Sequence, residues 1–150
     1  AESMKRLEQV HMQEFADRFP SELGDGMRKR IAIARALTCD PSYVLFDEPT
    51  TSLDPVRARR VDKLIRELSD KLGVTSIVVS HDLEETFRIA DKVVILANGR
   101  IAAQGTPEEV RHSTDPLVHQ FVSAAPEGPV RFHYPASTAA EDFGVAKERA

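Results

Sequence analysis

The stretch YVLFDEPTTSLDP, Tyr43 to Pro55, decides the fold of this chain. Its first four residues form an apolar run that is too short for a helix and rich in strand formers. Apolar residues then recur at helical spacing over 55–72, and Gly73 ends the pattern. A second apolar run, TSIVVS at 75–80, predicts another strand. A strand–helix–strand order requires parallel pairing with a right-handed crossover, so the predicted fold class is α/β.

The rest of the sequence predicts further helices and a hairpin. The predicted helices cover residues 3–18, 26–38, 82–90, 107–112 and 116–123. In KVVILANGRIAAQG, two strands flank Asn98-Gly99, which is a strong signal for a hairpin turn. The expected domain organisation is one α/β domain over 1–125, followed by a Pro-, Gly- and Ala-rich extension over 126–150.

Composition narrows the class of protein. A chain of 150 residues with 41% hydrophobic and 29% charged residues can build one domain with a core. Its net charge of −4 argues against a general nucleic-acid binder. The single cysteine, Cys39, excludes an internal disulfide and fits a reducing compartment. Because the sequence begins inside a helical pattern, we expect it to be a piece of a longer protein.

Polar residues follow each of the two predicted parallel strands. Asp47 and Glu48 end the first strand, and His81 follows the second. Parallel α/β sheets bind ligands at the carboxyl ends of their strands. One carboxylate could hold a divalent metal while the other orients or deprotonates a water. Such a pair is more often a solvated strand end, but the apolar run before it and PTTSLDP after it favour a site.

A glycine-rich turn begins the predicted helix in FPSELGDGMRKRIAIARAL, Phe19 to Leu37. A helix N-terminus is an anion site, because its free N–H groups and its dipole both point at the ligand. Asp25 lies in this turn, where its charge would repel a phosphate by about 4 kcal/mol at roughly 4 Å. Asp25 is also a favourable N-cap residue. The sequence therefore predicts a retained helix start with an impaired phosphate site.

Together, these motifs resemble the second half of an ABC-transporter nucleotide-binding domain. The resemblance implies a partial P-loop NTPase fold, with flanking helices on a parallel sheet, and the cofactors ATP and Mg²⁺. It implies that Asp47 holds Mg²⁺ through water, that Glu48 is the catalytic base and that His81 contacts the γ-phosphate. It assigns nucleotide contacts to the signature turn and to the D-loop facing a partner subunit, namely Leu23, Gly24, Asp25, Gly26, Met27, Ser52, Leu53 and Asp54.

The segment DPLVHQFVSAAPEGPVRFHYPA, Asp115 to Ala136, resembles the C-terminal extension of Mla-type intermembrane phospholipid transport ATPases. GMRKR, with Met27 where many relatives carry glutamine, points the same way. This implies an ATP-hydrolysing subunit at the cytoplasmic face of the inner membrane of a Gram-negative bacterium. The implied partners are a second ATPase subunit, an inner-membrane permease and a small STAS-domain subunit, with no nucleic acid. The aromatic cluster Phe132, His133 and Tyr134 favours docking of the extension on partner subunits over a disordered terminus.

Two departures from the family pattern leave alternatives open. The family turn reads Leu-Ser-Gly-Gly, whereas this chain has Leu23-Gly24-Asp25-Gly26. No glycine in the sequence is followed by lysine, so the P-loop pattern G-x-x-x-x-G-K is missing. The resemblance places the P-loop strand between the strands at 75–80 and 92–97, so we expect two unpaired strand edges there.

Three functions therefore remain. The favoured one is an ATPase subunit of a phospholipid transporter, because motif order and C-terminal segment agree. The second is a truncated or degenerate copy that acts only as a non-hydrolysing interaction fragment. The third is a soluble ABC ATPase without a permease, against which the transporter-like extension counts. For the isolated chain we expect no ATPase activity.

Overall fold

Two parallel strands, β1 (Tyr43–Asp47) and β2 (Thr75–Val79), form the sheet of the first of two units. The computed structural model describes residues 2–130. The two units are Ala1–Asp91 and Lys92–Ala150. In the first unit Tyr43 pairs with Thr75 and Asp47 with Val79, so both strands end at one edge. The predicted strand–helix–strand order is confirmed.

Helices of the first unit pack on one face of this sheet. They are α1 (Glu2–Gln9), α2 (Asp25–Ala36), α3 (Pro55–Leu72) and α4 (Leu83–Ile89). Short 3₁₀ turns cover Gln13–Phe15, Pro20–Glu22 and Leu37–Cys39. The core joins these helices to the inner face of β1, and burying each large apolar side chain there stabilises the fold by about 1.5–3 kcal/mol. The core residues are Val10, Met12, Ile33, Ala34, Leu37, Val44, Phe46, Val61, Leu64, Ile65 and Leu68.

Helix α3 follows its sequence signals closely. Asp54 caps its N-terminus, and Pro55 occupies the first helical position, where no N–H is needed. Gly73 ends it with φ of 65°, a left-handed conformation that glycine adopts without strain. The prediction of a helix over 55–72 is confirmed.

The predicted helix over 3–18 is wrong beyond Gln9. His11 has φ of 57°, which breaks the helix, and a 3₁₀ turn follows. Val10 and Met12 are both almost completely buried. Residues two apart lie on different sides of a helix, so one continuous helix could not turn both into the same core.

The opposite face of the β1–β2 sheet is open. We call Tyr43, Leu45, Ile77 and Val79 the bare face; their exposed fractions are 72%, 68%, 53% and 49%. Within residues 2–130, β2 pairs with β1 alone. This agrees with the unpaired edge that the missing P-loop strand predicts.

The second unit contains an antiparallel hairpin, β3 (Val93–Ala97) and β4 (Arg100–Gly105), followed by α5 (Pro107–Arg111) and α6 (Pro116–Ser123). Asn98 and Gly99 have φ of 52° and 70°, as a two-residue turn with two positive φ angles requires. The predicted hairpin and both predicted helices are confirmed. No helix within residues 2–130 is long and apolar enough to cross a membrane.

A side-chain clamp holds the chain after α6. The Gln120 amide Nε2 donates to the Val130 carbonyl at 2.7 Å, and its Oε1 accepts from the Val130 N–H at 2.8 Å. A Cβ on Gly128 would lie 2.4 Å from Gln120 Cδ, so glycine leaves the room that this clamp needs. The clamp holds the start of the predicted extension over 126–150. Its aromatic cluster, Phe132 to Tyr134, lies outside the described residues.

Candidate active site

Glu48 and His81 meet where β1 and β2 end. The N–H of Glu48 donates to the Val79 carbonyl at 2.9 Å, which continues the strand pairing by one residue. Glu48 then turns out of the strand with φ of 46°. Its Oε1 lies 2.8 Å from Nδ1 of His81, and its Oε2 accepts from the Thr51 hydroxyl at 2.9 Å. Both carboxylate oxygens of Glu48 are therefore held.

These hydrogen bonds favour the charged forms of both partners. The bond from His81, and then that from Thr51, lowers the pKa of Glu48 below its usual value. The Glu48 carboxylate in turn raises the pKa of His81. A carboxylate that accepts two hydrogen bonds has a reduced affinity for protons. Each oxygen of Glu48 keeps a second lone pair that can still accept a hydrogen bond from water.

A cleft of about 200 Å³ opens beside this pair. Its lining residues are Glu48, Thr50, Thr51, Leu53, Pro55, Ala58, Ser80, His81, Asp82 and Glu85. The His81 side chain is 79% exposed and that of Glu48 is 34% exposed, so water reaches both. The cleft can thus hold a water molecule against a carboxylate and an imidazole, the two groups that proton transfer needs.

Asp47 offers a free carboxylate at the same sheet edge. Its side chain is exposed and makes no hydrogen bond or ion pair with any described residue. Mg²⁺ prefers oxygen ligands and is held by one or two carboxylates together with waters and substrate phosphates. Asp47 offers one carboxylate of this kind, and residues 2–130 contain no cluster of three or more acidic, histidine or cysteine side chains that could hold a metal.

The signature turn begins α2, but Asp25 does not cap it. Gly24 is the N-cap, with an extended backbone, and its carbonyl accepts from the N–H groups of Met27 and Arg28 at 3.0 Å each. Asp25 is the first helical residue, and its carboxylate pairs with Arg28 instead. The expected N-cap role of Asp25 is therefore wrong, because Gly24 already occupies the cap conformation and Arg28 lies one turn along the helix.

The two apolar residues of the signature turn anchor it to the core. Leu23 is buried, and Met27 packs against the core cluster. Among the predicted contact residues of this turn, Gly24 and Asp25 remain exposed and Gly26 is half-buried. Their contacts with nucleotide remain predictions.

The D-loop residues also differ in what they do. Ser52 is exposed and has φ of 70°, while Leu53 packs against the core and lines the cleft. Asp54 Oδ1 accepts from two N–H groups at the start of α3, at 3.0 and 3.1 Å. The Asp54 carboxylate is thus used within the fold, and Ser52 has the exposed hydroxyl of this loop.

Three residues that support the site were not predicted. They are Thr51, which holds Glu48; Lys29, whose Nζ donates to the Glu48 carbonyl at 3.2 Å; and Arg28, the partner of Asp25. The i,i+3 spacing of Asp25 and Arg28 is a signal that sequence analysis could have used. The Lys29 contact joins residues 19 positions apart and has no local signal.

A buried acid lies near the cleft. Asp62 on α3 is 3% exposed, and its Oδ2 has no hydrogen-bond partner. The nearest cation is Arg88 of α4, at 3.9 Å. Burial, and then the charge of Glu85, raises the pKa of Asp62 to about 6.

Comparison with known proteins shows which proteins this chain is similar to. Residues 1–51 match the ABC transporter family. The chain is 45% identical over 133 residues to the intermembrane phospholipid transport system ATP-binding protein MlaF of Haemophilus influenzae, covering 89% of this chain and 50% of that protein. The MlaF of Escherichia coli K12 is 44% identical, with coverage of 89% and 49%.

Another relative is named for the transport of a different substrate. A sulfate/thiosulfate import ATP-binding protein, CysA 2 of Shewanella oneidensis, is 44% identical over 77% of this chain and 33% of its own length. Among solved structures, the ADP conformation of MJ1267, an ATP-binding cassette of an ABC transporter, matches with a TM-score of 0.72 and 29% identity. That match covers 80% of this chain and 48% of the solved one. The chain spans about half the length of the curated MlaF relatives it matches.

Proposed function

We propose that the chain is part of an ABC ATPase domain and serves in the ATP-hydrolysing subunit of a phospholipid transporter, because it is similar to the ABC transporter family, to the MlaF relatives and to a solved ATP-binding cassette. The observation that carries the proposal is the Glu48–His81 pair at the ends of two parallel strands. In this function Glu48 takes the proton of the attacking water and His81 contacts the γ-phosphate.

The metal role falls to Asp47. When bound, Mg²⁺ offsets the negative charge that the transferring phosphate develops. Asp47 supplies the free carboxylate for it, while Glu48 stays available for proton transfer because His81 and Thr51 hold it in place.

The remaining predicted residues serve a second copy of the subunit. In this proposal the exposed residues of the signature turn and Ser52 of the D-loop face the ATP site of that copy. The subunit sits on an inner-membrane permease at the cytoplasmic face and binds a small STAS-domain subunit. The extension over 126–150 docks on these partners. The likeness to the MlaF relatives, which are named as ATP-binding proteins of a phospholipid transport system, supports this assignment.

A second candidate follows from the missing P-loop pattern. This sequence contains no Gly-Lys pair, and its residues do not form the P-loop backbone cradle for the β- and γ-phosphates. The 150-residue chain alone would then act as a non-hydrolysing interaction fragment. Calorimetric titration of the isolated chain with Mg-ATP should give no measurable binding, and micromolar affinity would contradict this candidate.

The test of the proposed function is a chimera in which the unmatched half of the Haemophilus influenzae relative precedes this chain. We expect the chimera to bind and hydrolyse ATP, since the relative supplies the half that this chain lacks. A chimera that binds ATP but shows no phosphate release above the Glu48→Gln background would contradict the proposal and favour the interaction fragment.

A further inference from the structure

Lys29 connects the signature helix to the catalytic strand end. It is the fifth residue of α2, and its half-buried side chain donates from Nζ to the backbone carbonyl of Glu48 at 3.2 Å. Lys29 therefore contacts the main chain of Glu48, and the carboxylate of Glu48 is hydrogen-bonded to His81.

The turn at Glu48 needs such support. A non-glycine residue with positive φ is strained by roughly 1–2 kcal/mol and persists where its surroundings hold it. The Glu48 carbonyl also accepts from the Thr51 N–H, but at 3.4 Å, the weak end of the hydrogen-bond range. The charged Lys29 ammonium supplies the stronger bond to this oxygen.

The direction of the Glu48 side chain depends on this backbone turn. If the carbonyl loses the Lys29 bond, the residue can relax towards negative φ, which moves the carboxylate away from His81. The signature turn lies at the start of the same helix, so a shift of α2 reaches Glu48 through Lys29.

We infer that Lys29 is a positioning residue that holds the catalytic turn of Glu48 and links it to the signature turn of the same chain. The inference rests on the proposed function, in which the signature turn serves the ATP site of the partner copy. Lys29 then lets the occupancy of one ATP site influence the base of the other.

The first test uses the isolated chain and the titration of His81 followed by NMR. Removing a nearby positive charge alone favours protonated imidazole, so a purely electrostatic Lys29→Met effect raises the His81 pKa. If Glu48 instead loses its position, the His81 pKa falls. We expect the pKa of His81 in Lys29→Met to fall towards its ordinary value of 6.5, because the bond to Glu48 is weakened.

Two further variants make the result specific. Lys29→Arg keeps a charged donor and should retain the raised pKa of His81. Lys63→Met removes an exposed lysine of α3 and should leave the titration unchanged. A His81 pKa that rises or stays constant in folded Lys29→Met overturns the inference. If Lys29→Met does not fold, Lys29→Arg becomes the deciding variant. A His81 pKa that falls to its ordinary value in folded Lys29→Arg, with unchanged backbone chemical shifts, also overturns the inference.

The second test uses the chimera. Lys29→Met should lower kcat about tenfold with little change in KM, because ground-state ATP contacts are kept. An unchanged kcat, or a change in KM alone, contradicts the catalytic consequence. The two proposals can fail separately: an unchanged chimera that binds ATP without hydrolysing it contradicts the proposed function, while the NMR result for Lys29 stands independently.

Discussion

Glu48 and Asp25, two acids of the proposed site, are held by the fold in different ways. Glu48 contacts His81 after the end of β2, Thr51 three residues along its own loop and, through its backbone carbonyl, Lys29 of α2. Asp25 pairs only with Arg28, one turn further along its own helix, and its side chain is 58% exposed. Contacts from distant segments fix a side chain in one direction, whereas a local exposed pair can rearrange at little cost.

This contrast changes what Asp25 should do to an incoming phosphate. A lone carboxylate at roughly 4 Å from one phosphate charge costs about 4 kcal/mol. Arg28 offsets part of that charge and can itself turn towards the phosphate. We therefore expect an impaired signature turn and a much larger loss when Glu48 is changed.

Glu48→Gln gives the largest expected effect. In the chimera, kcat should fall at least about 100-fold, since general bases contribute roughly 10²- to 10⁴-fold. ATP affinity should stay within a few-fold, because the amide keeps the shape of the side chain. Steady-state phosphate release and nucleotide titration measure the two quantities. Glu84→Gln, on the exposed face of α4, is the control, and normal turnover in Glu48→Gln removes the assignment of the base.

Asp62→Asn tests whether the buried carboxylate of Asp62 lowers the free energy of unfolding. The folded pKa of Asp62, about 6, exceeds its ordinary 3.8. Its contribution to stability is therefore complete below about pH 3.8 and is lost as the pH rises through about 6. At pH 7.5 the free energy of unfolding of the variant should be about 3 kcal/mol higher, because a net shift of roughly two units already includes the attraction of Arg88.

Urea denaturation of the isolated chain at pH 4.5 and pH 7.5 measures this effect. Asp70→Asn, on the same helix and exposed, is the matched control. A pH dependence that is the same in Asp62→Asn as in the unchanged chain would show that another group titrates.

Asp25→Gly should raise chimera turnover by about tenfold, or roughly 1.4 kcal/mol. Shielding by Arg28 sets this modest size. Asp25→Asn removes the charge with little change in shape and should give most of the gain. Adding Gly24→Ser should bring a further hydrogen bond of about 1 kcal/mol. Equal turnover in all these variants would mean that the Asp25 carboxylate lies away from the phosphate. Asp25 and Glu48 would then differ in their distance from the phosphate and not in how they are held.

Gly128→Ala gives the smallest expected effect and tests a second local contact. Its Cβ meets Gln120, so the clamp on Val130 should weaken by about 1 kcal/mol and melting should shift down by roughly 3 °C. In a double-mutant cycle, Gly128→Ala should add nothing once Gln120→Ala has removed the clash. Additive effects would place the cost of Gly128→Ala elsewhere.

Local signals in the sequence account for much of this structure. Helix α3 could be predicted because its N-cap residue, its first proline and the glycine that ends it are all local signals in or directly beside the helix. The strand-end rule likewise placed Glu48 and His81 at one edge of the sheet. The break after Gln9 could not, because it depends on burying Val10 and Met12 in a core that other segments complete. Assigning the cap to Asp25 was an error of one residue, the usual uncertainty of a helix boundary.

The supporting contacts of the site lie beyond such signals. Lys29 is 19 residues from Glu48 and reaches it only after packing has placed α2, and Thr51, although three residues away, lies in a turn without a periodic pattern. Sequence patterns therefore identify which residues carry the chemistry, while the surrounding contacts come from tertiary structure.

The bare face of the β1–β2 sheet has a consequence for these 150 residues when they are produced on their own. Four large side chains in solvent, beside a strand edge that is unpaired within residues 2–130, invite edge-to-edge association. The isolated polypeptide should therefore self-associate as its concentration rises, unless another segment or chain covers that face.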